Sequence, residues 1–296
     1  MTRFFRFFTL CLCLLLCSSE ATAEGGSVFF QGRAYDSSAE SIDLGDTVVE
    51  DWEAFSAFLR QFPELKQADM FATTVEKADI DRLTEAFPNI RFGWTIHIAR
   101  SHYIRTDATA FSTLHGACVT HDSAVFEVLK YCTGLRALDL GHNKIESIDF
   151  LKDLTELRVL ILACNPKLKD IRPLENLEKL EYLELFSCNV SDISCLAELP
   201  NLMDLNLCCN TGLIDHTPLL GMKKLQRLWI ADTGIARNNG RIQEIHSALP
   251  DTRIQTRGEP TANGWRKDAP HYEVIYEIFH TGVYRPFDDS RPDADP

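Results

Sequence analysis

Five segments between Leu135 and Ile230 repeat one apolar pattern, and that periodicity constrains the fold more than any other feature of the chain. They read LRALDLGHN from Leu135, LRVLILACN from Leu157, LEYLELFSC from Leu180, LMDLNLCCN from Leu202 and LQRLWIADT from Leu225, with starts 22, 23, 22 and 23 residues apart. Positions one, four and six of each unit are apolar, as in Leu157, Leu160 and Leu162. Side chains alternate across a strand, so these residues share one face while Val159 and Ile161 take the other. No single unit can bury its leucines alone, so neighbours must stack.

Position nine is small or polar in every unit: Asn143, Asn165, Cys188, Asn210 and Thr233. Such a side chain, turned inward, bonds backbone groups of the adjacent turn and forms a ladder along the stack. The remainder of each unit returns through further apolar positions, such as Leu168, Ile171, Leu174 and Leu177. A period this short leaves little room for a full helix. The expectation is extended or 3-10 backbone there, with Pro173, Pro200 and Pro218 marking bends. His216 takes the register position of Ile171 and Ile193, which reads as a hydrogen-bonded interior histidine.

The pattern LxxLxLxxN, with a following DI as in SDISCL from Ser191, resembles the short internalin-type bacterial leucine-rich repeats. The flanks, RTDATAFST before the array and GWR…TGVYRPF after it, are similar to those of secreted bacterial leucine-rich repeat proteins. The resemblance implies an α/β leucine-rich repeat solenoid. It would have a parallel β-sheet on the concave face, short turns or helices on the convex face, and terminal caps. It implies binding through the strand face and no chemistry.

The flanking sequence suggests five regions. Residues 1–23 begin with two arginines among aromatics, continue with an apolar run and end in Ala-Thr-Ala, a secretory signal expected to be cleaved after Ala23. The apolar run is short for a membrane span, and Cys17 sits in a poor context for lipidation. Residues 24–134 read as degenerate, helix-backed repeats of the same solenoid plus a cap. Helices are expected in EDWEAFSAFLRQFP and KADIDRLTEAFP, a strand in RFGWTIHIA, and a further helix in DSAVFEVLKYC. Residues 135–234 are the regular repeats. Residues 235–258, with helix GRIQEIHSALP and strand TRIQT, cap the last apolar edge. Residues 259–296 form a tail with a short helix in HYEVIYEIF and a disordered acidic end.

The formal charge is −13. Removing residues 1–23, which carry Arg3, Arg6 and Glu20, leaves the chain near −14. That argues against nucleic acid and anionic membranes as partners. Seven cysteines follow the signal, an odd number. Mostly free thiols are expected, with Cys118–Cys132 the most plausible bridge.

The signatures of serine hydrolases, zinc proteases, P-loops and dinucleotide folds do not occur in the sequence. One constellation competes with a binding role. His115, Cys118 and His121, with His97, His102 or Asp122 as a fourth ligand, have spacing that a metal-dependent hydrolase could use. Solvent-facing histidines on a polar loop are the simpler reading, so no metal and no cofactor is assigned. A structural envelope spacer is a third possibility. The expected site is instead the outward side of the strands. Position three reads Ala137, Val159, Tyr182, Asp204, Arg227, and position five reads Asp139, Ile161, Glu184, Asn206, Trp229. With Phe186 at position seven, Tyr182 and Trp229 give an aromatic patch beside Glu184, Asp204, Asn206 and Arg227, a composition suited to a protein or peptide ligand, or a glycan. The alternative is that the tail or the N-terminal block folds over this patch. Trp265, Arg266 and Lys267 read either as a stacking surface or, for Trp265, as an anchor of the tail on the cap.

Overall fold

A computed structural model describes residues 26–98, 102–114, 120–261, 263–267 and 269–287. The proposed signal peptide, Cys17, His115, Cys118 and the acidic C-terminal end lie outside them.

The described residues begin with an antiparallel hairpin of β1 (Ser27–Phe30) and β2 (Arg33–Asp36). A four-stranded sheet follows, built from β3 (Ser41–Asp43), β4 (Gln67–Val75), β5 (Arg91–Ile98) and β6 (His102–Arg105). Two helices back it, α1 (Trp52–Leu59) and α2 (Lys77–Ala86), both where apolar spacing required them. Asp51 caps α1 by accepting from the Glu53 and Ala54 N–H groups, each at 2.9 Å. Phe55, Phe58, Ile80 and Leu83 of the helices and Met70, Trp94 and Ile96 of the strands share one core.

The N-terminal block shares one hydrophobic core with the repeats, but its sheet is a separate one. Strand β6 runs antiparallel to β5, with Ile96 opposite Ile104, and the sheet ends there. The repeat sheet starts afresh with β7 (Ala110–Ser112). After the short helix α3 (Ser123–Phe126), it continues through β8 (Ala137–Asp139), β9 (Val159–Ile161), β10 (Tyr182–Glu184), β11 (Asp204–Asn206) and β12 (Arg227–Trp229). Helix α4 (Asn239–Ala248) and strand β13 (Arg253–Gln255) follow, with β13 pairing on the outer side of β12. All seven strands are parallel and stack in chain order. A last helix, α5 (Pro270–Thr281), lies in the tail.

The register places Leu138, Leu160, Leu183, Leu205 and Leu228 side by side, all fully buried. On the convex side the expected 3-10 turns occur at Asp149–Leu151, Arg172–Leu174, Ser194–Glu198 and Thr217–Gly221, with Pro173 and Pro218 in their first turns. Position eight of every repeat (His142, Cys164, Ser187, Cys209 and Asp232) adopts a left-handed φ between 55° and 63°. That turn lets the Cys164 N–H reach Phe186 O at 2.9 Å, and its counterparts do the same along the stack.

The position-nine ladder is formed. Asn165 accepts from the Ile145 N–H at 3.0 Å and donates to Leu140 O and Leu162 O. Cys188 substitutes by donating its thiol to Leu162 O at 3.3 Å. Asn210 accepts from Val190 N and donates to Leu185 O and Leu207 O. Replacing Asn210 by alanine strands those three buried groups, so denaturant unfolding should show a loss of about 1–3 kcal/mol; a loss under ~0.5 kcal/mol would mean the ladder contributes little.

Candidate functional site

Strands β8 to β12 turn their odd positions toward the concave side, and the seven residues expected there are all on it. They are not exposed. Tyr182, Glu184, Asp204 and Asn206 are fully buried, Trp229 and Phe186 nearly so, and Arg227 is half-buried. The physical reason is the tail. Residues 259–287 cross the concave face as a strap, and a second apolar cluster, distinct from the solenoid core, forms beneath it. Val159, Ile161, Ala163, Tyr182, Phe186 and Trp229 supply the floor, and Trp265, Val274, Ile275, Ile278 and Phe287 supply the cover. The patch is therefore a packed interface and not a free surface. Trp265 is fully buried on the strand face, so its anchoring place is not the cap.

Charge and hydrogen bonding organise this interface. The Trp265 indole N–H donates to Tyr182 Oη at 2.7 Å and to Glu184 Oε1 at 2.8 Å. Arg266 grips the same carboxylate in two-point fashion, Nε to Oε1 at 3.1 Å and Nη2 to Oε2 at 2.6 Å. The Tyr182 hydroxyl also donates to Glu184. Glu184 thus receives four donors, three of them from the strap. One turn along the stack, Asp204 pairs with Arg227 at 3.4 Å and with Nδ1 of His271. Arg227 lies 4.2 Å from the centre of the Trp265 ring and bonds the Trp265 carbonyl. Asn206 donates to Pro260 O at 3.0 Å. The Trp229 and Trp265 rings meet edge-on at 5.6 Å. Gly264 makes this approach possible: a Cβ there would sit 3.0 Å from the Trp229 ring and far closer to Glu259 O.

Asp139 lies at the edge of the same network. It accepts from the Gly141 N–H at 2.9 Å and faces Ser112 Oγ at 3.5 Å, with Glu184, Arg266 and Tyr272 nearby. Burial, only partly offset by the Gly141 bond and reinforced by Glu184, pushes its carboxyl from the ordinary 3.8 up to about 7. An acid whose folded value is raised holds more protons folded than unfolded between those two values. Its contribution is therefore complete below about pH 4 and lost as pH rises through about 7. Denaturant melts at pH 5 and pH 8 should show Asp139→Asn gaining on the wild type as pH rises; parallel profiles would mean Asp139 ionises freely.

Of the other sequence candidates, His115 and Cys118 lie outside the described residues, while His97, His102 and His121 lie within them. His102 and His121 have ring centres 5.9 Å apart, and burial lowers the His121 value, helped by His102. His97 instead stacks on Tyr103 at 4.6 Å. Among the described residues no group of three or more His, Cys, Asp and Glu is placed to hold a metal. His216 is the interior histidine expected, bonded to Glu244 at 2.7 Å. Cys132, Cys164, Cys188, Cys195, Cys208 and Cys209 are free thiols, and burial pushes Cys132 and Cys188 up to about 12. Cys118, the suggested partner of Cys132, is outside the described residues. None of the helices of the described residues is long and apolar enough to cross a membrane.

Residues 133–176 match the family description "Leucine Rich repeats (2 copies)". No curated protein matches the chain. Among solved structures it is similar to internalin C2 of Listeria monocytogenes, at 20% identity over 73% of this chain and 80% of that one, with a TM-score of 0.39. Internalin F of the same organism gives 16% identity over 77% and 70%, with a TM-score of 0.38. The functional domain of InlJ from Listeria monocytogenes, described as including a cysteine ladder, gives 14% over 65% and 44%, with a TM-score of 0.39. The fold is an α/β leucine-rich repeat solenoid.

Proposed function

We propose that this protein is a non-catalytic binding module that acts outside the cell or at its surface. On this reading residues 1–23 direct export and are removed after Ala23. The ligand is a protein or peptide, held on the concave face by Tyr182, Glu184, Phe186, Asp204, Asn206, Arg227 and Trp229. One observation carries it. These seven residues already hold a polypeptide segment, through the aromatic anchors and doubly bonded guanidinium that concentrate binding energy at protein interfaces. A peptide occupant with an indole and a guanidinium favours a peptide ligand over a glycan.

The test compares the full chain with its Glu184→Gln variant, both immobilised and exposed to extracts of the producing cells and their medium. A defined protein retained by the first and lost from the second, while both remain folded by circular dichroism, is the expected outcome. Retention indifferent to Glu184, or none, would overturn the reading. Mass spectrometry of the exported chain should find Glu24 at its N-terminus; a lipid-bearing Cys17 there would refute the processing.

A further inference from the structure

We propose that the strap is the resident occupant of a recognition site, and that an external partner of this face carries the same chemistry: an indole followed by a guanidinium, ahead of a short amphipathic helix. The proposal rests on the reading that the concave face binds a peptide ligand, and it names the ligand class.

Three observations separate the strap from the solenoid it covers. Strands β7 to β13 are knitted together by backbone hydrogen bonds, whereas among the described residues no backbone–backbone bond joins residues 259–287 to the array. The strap is held by side chains, including Trp265, Arg266 and His271, and by Asn206 and Arg227 reaching Pro260 and Trp265 carbonyls. Its apolar cluster is also its own, separate from the core around Leu183. Finally, it leaves the cap through an exposed stretch in which Gly258 has a φ of +117°. A segment held by side chains alone, with no backbone ladder to the array, resembles a docked partner, which can separate without breaking the sheet.

The face also selects by chemistry. Lifting the strap would leave Glu184 and Asp204 among Tyr182, Phe186 and Trp229, with Arg227 paired to Asp204. A neutral or acidic peptide would bury Glu184 with only the Tyr182 hydroxyl as donor and leave Asp204 to Arg227 alone, which is unfavourable. A guanidinium satisfies both Glu184 oxygens at once, which a lysine ammonium cannot do in the same geometry. Val274, Ile275 and Ile278 supply the helix-in-groove part of the contact.

The probe is a fluorescein-labelled peptide of residues 259–287, titrated against the full chain. In the wild type the tethered strap competes at an effective concentration near millimolar, so the peptide should bind poorly. A full chain carrying Trp265→Ala and Arg266→Ala has lost two anchors of its own strap and should bind the peptide on the order of 100-fold tighter. Adding Glu184→Gln, or using a peptide with Arg266→Lys, should lower that affinity about tenfold or more. A folded double variant that binds no better than the wild type would overturn the proposal. If the double variant fails to fold, the wild-type chain with a protease site inserted after Gly258 replaces it. After cleavage, exchange of the nicked strap for labelled peptide supports the proposal, and a strap that does not exchange refutes it. Peptide binding without any ligand retained from extracts would leave this site chemistry standing while removing the external-ligand reading. A retained ligand that the peptide does not displace would do the reverse.

Discussion

The full chain carrying Trp265→Ala should lose about 3–5 kcal/mol of the free energy that holds the strap down, the range expected for removing a fully buried large aromatic. The ring touches Tyr182 and Trp229 at centroid distances of 5.6 Å, lies against the Arg227 guanidinium and supplies two hydrogen bonds. Its loss also leaves Glu184 with fewer donors in a place water does not reach. Because the strap's cluster is separate from the solenoid core, the effect should appear first as detachment of residues 259–287. Hydrogen exchange should therefore accelerate in α5 while the amides of β9 to β11 stay protected. Uniform protection across α5 in the variant would show that Trp265 is not the anchor.

Leu183→Ala acts on the other cluster. Leu183 is fully buried between Leu160 and Leu205 in the interior row. A stacked repeat has only its two neighbours to fill a gap, so the site collapses poorly and the cost should be about 2–5 kcal/mol. The loss should appear in the main denaturant transition of the array, where Trp265→Ala acts less. A shift under half a kcal/mol would show that Leu183 does not belong to the core.

The stack itself could be read from the sequence because its rules are local. Leucines at positions one, four and six, with an amide at position nine, repeat in phase, and each register position then places its residue on a known face. The helical spacing of Phe55, Phe58 and Leu59 placed α1 for the same reason. The N-terminal block was less legible: its parallel strands β3 to β5 look like further repeats, but nothing in the spacing marks the antiparallel turn into β6 or the break before β7.

The state of the concave face was hidden for a different reason. Tyr182 and Trp229 were placed on the correct side, but whether a surface is covered depends on a segment about 80 residues away in sequence, and no local pattern encodes that. Two signals point to it in retrospect. The helix of the tail carries Val274, Ile275 and Ile278 with no partner of its own, and the strand face carries the acids Glu184 and Asp204, which pair with Arg266 and His271 of the tail. A consequence is that Tyr182→Ala or Trp229→Ala should lower the melting temperature, since both rings pack under the strap rather than stand free.

The seating of the strap on residues 182–229 is tested most directly by a double-mutant cycle between Tyr182→Ala and Trp265→Ala, read by the free energy of opening that hydrogen exchange gives for α5 in the full chain. Rings in contact and joined by a hydrogen bond should be coupled, with an interaction energy of about 1 kcal/mol or more, so that the double variant costs less than the two single variants together. Additivity within about 0.3–0.5 kcal/mol would mean that the two residues do not touch, and that the concave face is open.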